Sequence, residues 1–194
     1  MKKIPTLFER HFENHKVIEV LPNITPGCKE SFEHGIATIK LDGACCAVIG
    51  GKLYKRYDAK NGKPVPKDAI KCQDEPDPIT GHLPCWVQCD YNNPADKWFL
   101  RAYANAVLHE NSCPLPDGTY EAIGPHFQGN PYNLPHDVME RHGLREVNVV
   151  RTFDDVKLWL NNFYHEGLVF WLNGEPVCKI KRSDFGLEWG GRKK

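Results

Sequence analysis

The stretch from Gly35 to Tyr57 reads as three consecutive strands. Ile36 and Thr38 alternate with smaller neighbours, Cys45 to Ile49 is a short apolar run, and Leu53-Tyr54 resumes beyond Gly50-Gly51. A Gly-Gly pair between two such runs is a two-residue hairpin signal. Further along, Phe99, Ala102, Tyr103 and Ala106 recur at helical spacing, so a helix is expected over Lys97–Val107 with Asp96 as its cap. Thr119 to Ile123 and Arg145 to Val150 read as strands. Thr152 with Asp155 three residues on forms a capping-box pattern, which opens a helix carrying Val156, Trp159, Leu160 and Phe163. Gly167 to Leu172 and Glu175 to Lys181 predict a hairpin about Asn173-Gly174, a strong type I′ turn pair.

Between Ala59 and Asn93 the pattern breaks. Pro64, Pro66, Pro76, Pro78 and Pro84, with Pro94 just beyond and the acids Asp74, Glu75 and Asp77 among them, predict a long irregular excursion at about 59–94. Trp86 and Val87 indicate that part of it packs. Strands dominate over two or three helices, so the fold class expected is α+β with antiparallel sheets, in a single domain spanning residues 1–194.

Composition narrows the class without naming a function. The 194 residues are 41% hydrophobic and 26% charged, which is ordinary for a globular protein. Twenty-five basic residues balance 25 acidic ones, which argues against a histone-like or tail-driven nucleic-acid binder but leaves local basic stripes open. No signal peptide or long apolar run is evident, so a cytoplasmic location without membrane association is expected. The eight cysteines contain no Cys-x-x-Cys pair and read as small buried hydrophobes. A zinc site from Cys72, His82, Cys85 and Cys89 is the alternative, on intervals that match no standard zinc module.

The candidate chemistry begins at Lys40-Leu41-Asp42-Gly43. An extended chain would point Lys40 and Asp42 to the same face, and Gly43 would permit close approach. A nucleophilic lysine must lose its proton, which burial or cationic neighbours promote. Taken alone, Lys-x-Asp-Gly arises by chance in roughly one chain in twenty of this length. The residues that follow change that assessment. Lys55-Arg56 lies on the next hairpin strand, and Glu121 sits among apolar neighbours. Glu166-Gly167-Leu168-Val169 opens a strand, and Lys179 and Lys181 share one face of its partner.

This order resembles the signature of the covalent nucleotidyltransferases: ATP-dependent DNA ligases, RNA ligases and mRNA capping enzymes. Pro5 to Arg10, Asn23 to Cys28, Asp42 to Cys46, Asp117 to Gly124, Gln128 to Pro131 and Lys179 to Gly186 are similar to the small RNA ligases of phages and bacteria, which have a vertebrate relative. The resemblance implies an antiparallel-sheet nucleotidyltransferase domain, ATP-grasp-like and of the ligase-adenylation kind, without a C-terminal OB fold. It implies an ATP-dependent RNA ligase that joins 5′-phosphate and 3′-hydroxyl RNA ends, with Mg²⁺ or Mn²⁺ as cofactor. Lys40 would be the nucleophile. Ile39, Asp42, Gly43, Lys55, Arg56, Glu121, Glu166, Lys179 and Lys181 would bind the nucleotide, with Glu166 and Glu121 as metal acids. Guanylyl transfer, DNA nick sealing and non-catalytic nucleotide or RNA binding are the competing readings.

Two features stay open at this level. An adenine needs an aromatic neighbour, and Phe127, Tyr132, Phe170 and Trp171 are the candidates. RNA phosphates need cations, for which Arg10, Lys60, Lys63 and Arg192-Lys193-Lys194 are available.

Overall fold

A computed structural model describes residues 1–13, 16–60, 63–78 and 80–190. In chain order it contains β1 (Phe8–Glu13), β2 (Lys16–Ile24), α1 (Lys29–His34), β3 (Ile36–Lys40), β4 (Ala44–Ile49) and β5 (Lys52–Ala59). These are followed by the two-residue β6 (Ile70–Lys71), β7 (Leu83–Gln88), α2 (Lys97–Glu110), β8 (Gly118–Ile123) and β9 (Val138–Arg141). The chain ends with α3 (Phe153–Asn162), β10 (Gly167–Leu172) and β11 (Glu175–Lys181). Single 3-10 turns cover Pro94–Asp96 and Arg182–Phe185. The named strands pair antiparallel throughout, which makes the class α+β. Among the described residues no helix is long and apolar enough to cross a membrane.

The chain divides into two compact units. One comprises Met1–Lys3 and Asp42–His142, and the other Ile4–Leu41 and Gly143–Gly190. The boundary therefore falls between Leu41 and Asp42, inside Lys-x-Asp-Gly.

The Asp42–His142 unit is built on a six-stranded sheet in the order β6-β7-β5-β4-β8-β9. Gly50 and Gly51 both take positive φ and turn β4 into β5, as the glycine pair predicts. α2 covers this sheet with Ala102 and Ala106 fully buried, while Phe99 and Tyr103 pack on the same cluster. Cys46, Val48, Leu115 and Tyr120 complete that core. Two expectations need correction here. The excursion at 59–94 is not irregular throughout, because β7 pairs with β5 from Tyr54↔Gln88 to Ala59↔Leu83 and buries Cys85 and Trp86. Asp96 precedes α2 but makes no side-chain cap. Its buried carboxylate instead accepts from the Asp90 and Asn93 nitrogens and from Lys55. Asn93 caps the preceding 3-10 turn by accepting from the Ala95 N–H at 3.1 Å.

The Lys40 unit holds a three-stranded sheet, β11-β10-β3, and the β1-β2 hairpin. Asn173 (φ 51°) and Gly174 (φ 81°) turn β10 into β11, the left-handed pair that a type I′ turn requires. Thr152 caps α3 by accepting from the Asp155 N–H at 3.1 Å. Val156 and Leu160 bury the apolar stripe of α3, whereas Phe163 lies past its last turn and is half exposed. The core is aromatic: Phe8 meets Phe32 and Phe153 edge-on at centroid distances of 5.6 and 5.0 Å. Arg145–Val150 is not a strand. It bonds β3 through the Ile39 N–H to the Arg145 carbonyl, the Val147 N–H to the Ala37 carbonyl, and an isolated bridge at Glu146.

Candidate functional site

In the Lys40 unit, sheet register aligns three residues of the sequence pattern. Gly167, the first residue of β10, faces Lys40 of β3 on one side and Lys181 of β11 on the other. Lys40 and Lys181 thus end their strands on either side of the residue that follows Glu166. The Glu166 carboxylate is buried and takes one ammonium on each oxygen. Lys40 Nζ donates to Oε2 at 2.5 Å, and Lys181 Nζ lies 2.5 Å from Oε1. Lys40 Nζ also donates to the Leu41 carbonyl at 3.2 Å. A charge-assisted bond of this length holds the lysine head in a defined place.

Gly167 is required for this row. A Cβ at that position would lie 2.1 Å from the Ile180 carbonyl oxygen, a backbone atom of the neighbouring strand. The Glu166 carbonyl in turn accepts from the Arg182 N–H at 2.9 Å. Arg182 is buried and donates to the carbonyls of Leu160, Phe163 and Glu188. Lys179 lies two residues before Lys181 on β11, opposite Val169, and its backbone bonds Pro5 and Leu7. Ile39 is half-buried opposite Leu168.

The Asp42–His142 unit holds the other sequence-selected residues. Asp42 lies beyond the end of β3, so it does not share a strand with Lys40. Its N–H donates to the Tyr132 hydroxyl at 2.6 Å. The Gly43 N–H donates to Glu121 Oε1 at 3.0 Å, and Gln128 donates to the Gly43 carbonyl at 3.1 Å. A Cβ on Gly43 would sit 2.1 Å from the Ala122 carbonyl oxygen, so glycine is needed for this close approach to β8. Glu121 is buried on β8, and its other oxygen faces His142 Nε2 at 2.9 Å.

Lys55 and Arg56 are neighbours on β5 and point to opposite faces. Lys55 is tied to buried Asp96. Arg56 bonds Asp58 at 2.9 Å and the Met1 carbonyl at 2.9 Å. Burial opposes the charge on Arg56, but the hydrogen bond and charge of Asp58 outweigh it and raise its pKa.

The aromatic candidates separate clearly. Phe127 and Phe170 are core residues of their respective units, and Tyr132 is engaged with Asp42. Trp171 packs over Gly143 and donates to Thr38 Oγ1 at 2.8 Å. Sequence reasoning missed Trp98 and His126, whose rings stack at 3.3 Å and 12°. Asp137 holds His126 at 2.7 Å, and Phe127 and Gln128 line the same cavity of about 240 Å³. His142 was missed as well. A lone histidine carries no signal until β8 and β9 are paired.

The cation and cysteine expectations resolve in part. Lys60 and Lys63 are exposed, whereas Arg10 lies 3.7 Å from Asp184. Arg192-Lys193-Lys194 lie outside the described residues. All eight cysteines are free. Cys72, His82, Cys85 and Cys89 do not gather. Among the described residues, Cys45, Glu121 and His142 are the group with metal-ligand proximity. Burial, reinforced by the Glu121 charge, pushes the Cys45 thiol up to about 12.

A scan against protein-family models and a search of curated proteins return no match to the chain. The functional reading therefore rests on the residues themselves.

Proposed function

We propose that the chain is an ATP-dependent RNA ligase that works through a lysyl-AMP on Lys40. The observation that carries this reading is that one buried carboxylate, that of Glu166, meets both Lys40 and Lys181 at 2.5 Å. The motif order from Lys-x-Asp-Gly to Lys-x-Lys supports it. A structural ion pair needs one cation. Here two lysines of the sequence pattern, at the ends of the two strands that flank β10, meet on one acid and gather the kind of fixed cations that phosphoryl transfer uses.

In this mechanism Lys40 Nζ attacks the α-phosphorus of ATP. A P–N bond forms, the bond to the bridging oxygen breaks, and pyrophosphate leaves. Nζ must shed a proton to attack, and Glu166 Oε2 is within transfer distance. Taking that proton neutralises the Glu166 carboxylate, and Lys181 stays cationic beside its other oxygen. Lys181 and Lys179 then supply fixed positive charge for the phosphate oxygens. AMP passes to the 5′-phosphate of RNA, and a 3′-hydroxyl displaces it to seal the strand. Asp42, Gly43, Ile39, Arg56 or Lys55, and Glu121 take the nucleotide-binding roles that the resemblance implies.

Mg²⁺, when bound, would neutralise the polyphosphate. Each oxygen of Glu166 already meets an ammonium group, so Mg²⁺ there competes with Lys40 or Lys181. The carboxylate of Glu121 likewise meets the Gly43 N–H and His142. The steps above are accordingly carried by the chain's own cations.

The test is sealing of a 5′-phosphate/3′-hydroxyl nick in RNA with ATP, run beside GTP and beside a DNA nick. Sealing of RNA with ATP is expected, with Lys40→Ala inactive. A preference for GTP without sealing, or for DNA nicks, would move the chain to another member of the superfamily. No covalent nucleotide with any triphosphate would remove the reading.

A further inference from the structure

We propose that Cys45, Glu121 and His142 form a binding site for one zinc-like transition-metal ion in the Asp42–His142 unit. Cys45 and Glu121 lie on adjacent strands of one sheet, and His142 directly follows the end of the next strand, β9. Cys45 on β4 pairs directly with Glu121 on β8, so their side chains share a face. The His142 N–H bonds the Thr119 carbonyl just beyond the Tyr120↔Arg141 pair. Thr119 precedes Glu121 by two on β8 and points to that same face. One ligand atom from each of Cys45, Glu121 and His142 lies within 4.8 Å of the other two.

The donor chemistry selects the ion. A thiolate, an imidazole and a carboxylate are the mixed soft and borderline set that zinc takes, and Mg²⁺ does not accept sulfur in preference to oxygen. Zinc bond lengths place tetrahedral ligand atoms about 3.3–3.8 Å apart, which the group reaches by small side-chain shifts. Three protein ligands leave the fourth position open, as in catalytic zinc sites.

A supporting group is already in place. His142 Nδ1 lies 3.0 Å from Thr119 Oγ1 and Nε2 lies 2.9 Å from Glu121 Oε2. With Nδ1–H donated to Thr119, the Nε2 lone pair points at a carboxylate oxygen, and a cation between them resolves that contact. Metal-binding histidines are commonly oriented in this way through their second nitrogen. Cys46, next in sequence, faces the other side and donates to the Tyr120 carbonyl, so only one thiol of the pair is on this face. The competing account is a histidine–carboxylate hydrogen bond with a bystander thiol.

Both readings use Glu121, but metal binding can be read without ATP or RNA, so failure of one is distinguishable from failure of the other. The full chain, stripped with a chelator, is titrated with Zn²⁺ by competition and with Co²⁺ by absorption. One saturable site is expected, with a thiolate-to-cobalt charge-transfer band and no displacement by excess Mg²⁺. Cys45→Ser, nearly isosteric, should abolish the band. Thr119→Val keeps all three ligands and should weaken Zn²⁺ binding by about 10–100-fold. Cys113→Ser, at an exposed thiol, should change nothing. Absence of saturable Zn²⁺ binding would overturn the proposal. So would binding that survives in Cys45→Ser, because it would place the metal on other cysteines.

Discussion

Gly167→Ala tests the sheet that aligns the two lysines. The added Cβ would sit 2.1 Å from the Ile180 carbonyl oxygen, about 1 Å inside ordinary carbon–oxygen contact. That oxygen is backbone and cannot rotate away, so β10 and β11 must separate at Gly167↔Lys181. Strain of this kind costs about 1–3 kcal/mol, and each ladder hydrogen bond loosened adds about 1 kcal/mol. Alanine restricts the unfolded chain more than glycine, which returns about 0.4–1 kcal/mol. The net expectation is about 2–3 kcal/mol of destabilisation. For a chain of this size that lowers Tm by roughly 5–10 °C. Thermal and denaturant unfolding measure it, with Gly174→Ala as the comparison. Position 174 is open space with φ 81°, so that variant carries only backbone strain of about 1–2 kcal/mol. Equal stability of Gly167→Ala and wild type would refute the close-approach argument.

Other expected outcomes follow from the same geometry. Glu166→Gln removes the anion that Lys40 and Lys181 share, and should abolish self-nucleotidylation while costing about 1–3 kcal/mol in unfolding experiments. In a double-mutant cycle with Lys181→Ala, a coupling of at least about 0.5 kcal/mol is expected, and additivity would contradict the shared carboxylate. Asp96→Ala leaves Lys55 and the Asp90 N–H without their buried acceptor and should cost about 2–4 kcal/mol; a loss under 0.5 kcal/mol by denaturant melt would count against it. Burial opposes ionisation of Asp77, but the Lys3 ammonium and the Thr80 hydroxyl and N–H prevail and lower its pKa from 3.8 to about 2. Its stabilisation is therefore complete above about pH 4 and is lost as pH falls toward 2. Solvent screening keeps it below about 1 kcal/mol. Titration of the Asp77 carboxyl carbon by NMR should show the low value, moving toward 3.8 in Lys3→Ala; a wild-type midpoint near 3.8 would exclude this pairing.

Local signals carried much of the fold. The Gly50-Gly51 and Asn173-Gly174 turns fix their hairpins through backbone conformations few other residues adopt, so sequence and structure agree there. The apolar stripes of α2 and α3 are equally direct. β7 was obscured by the prolines around it, because proline density marks loops while Trp86 and Cys85 bury only when β5 pairs beside them. Arg145–Val150 has strand-like composition, yet forms only scattered bonds to β3. In the site, Lys40, Glu166 and Lys181 were legible as a motif train. Their meeting on one carboxylate depends on register between strands more than 120 residues apart in sequence. His142 and the Cys45–Glu121 pairing were not legible at all, since they depend on how β4, β8 and β9 align.

The most direct test of the central claim locates the nucleotide. Purified protein incubated with α-labelled ATP and Mg²⁺ is digested, and the labelled peptide is sequenced by mass spectrometry. The account predicts one AMP in an acid-labile phosphoramidate on Lys40, absent from Lys40→Ala and from Glu166→Gln. An adduct on another residue, or wild-type protein that accepts no label, would contradict it.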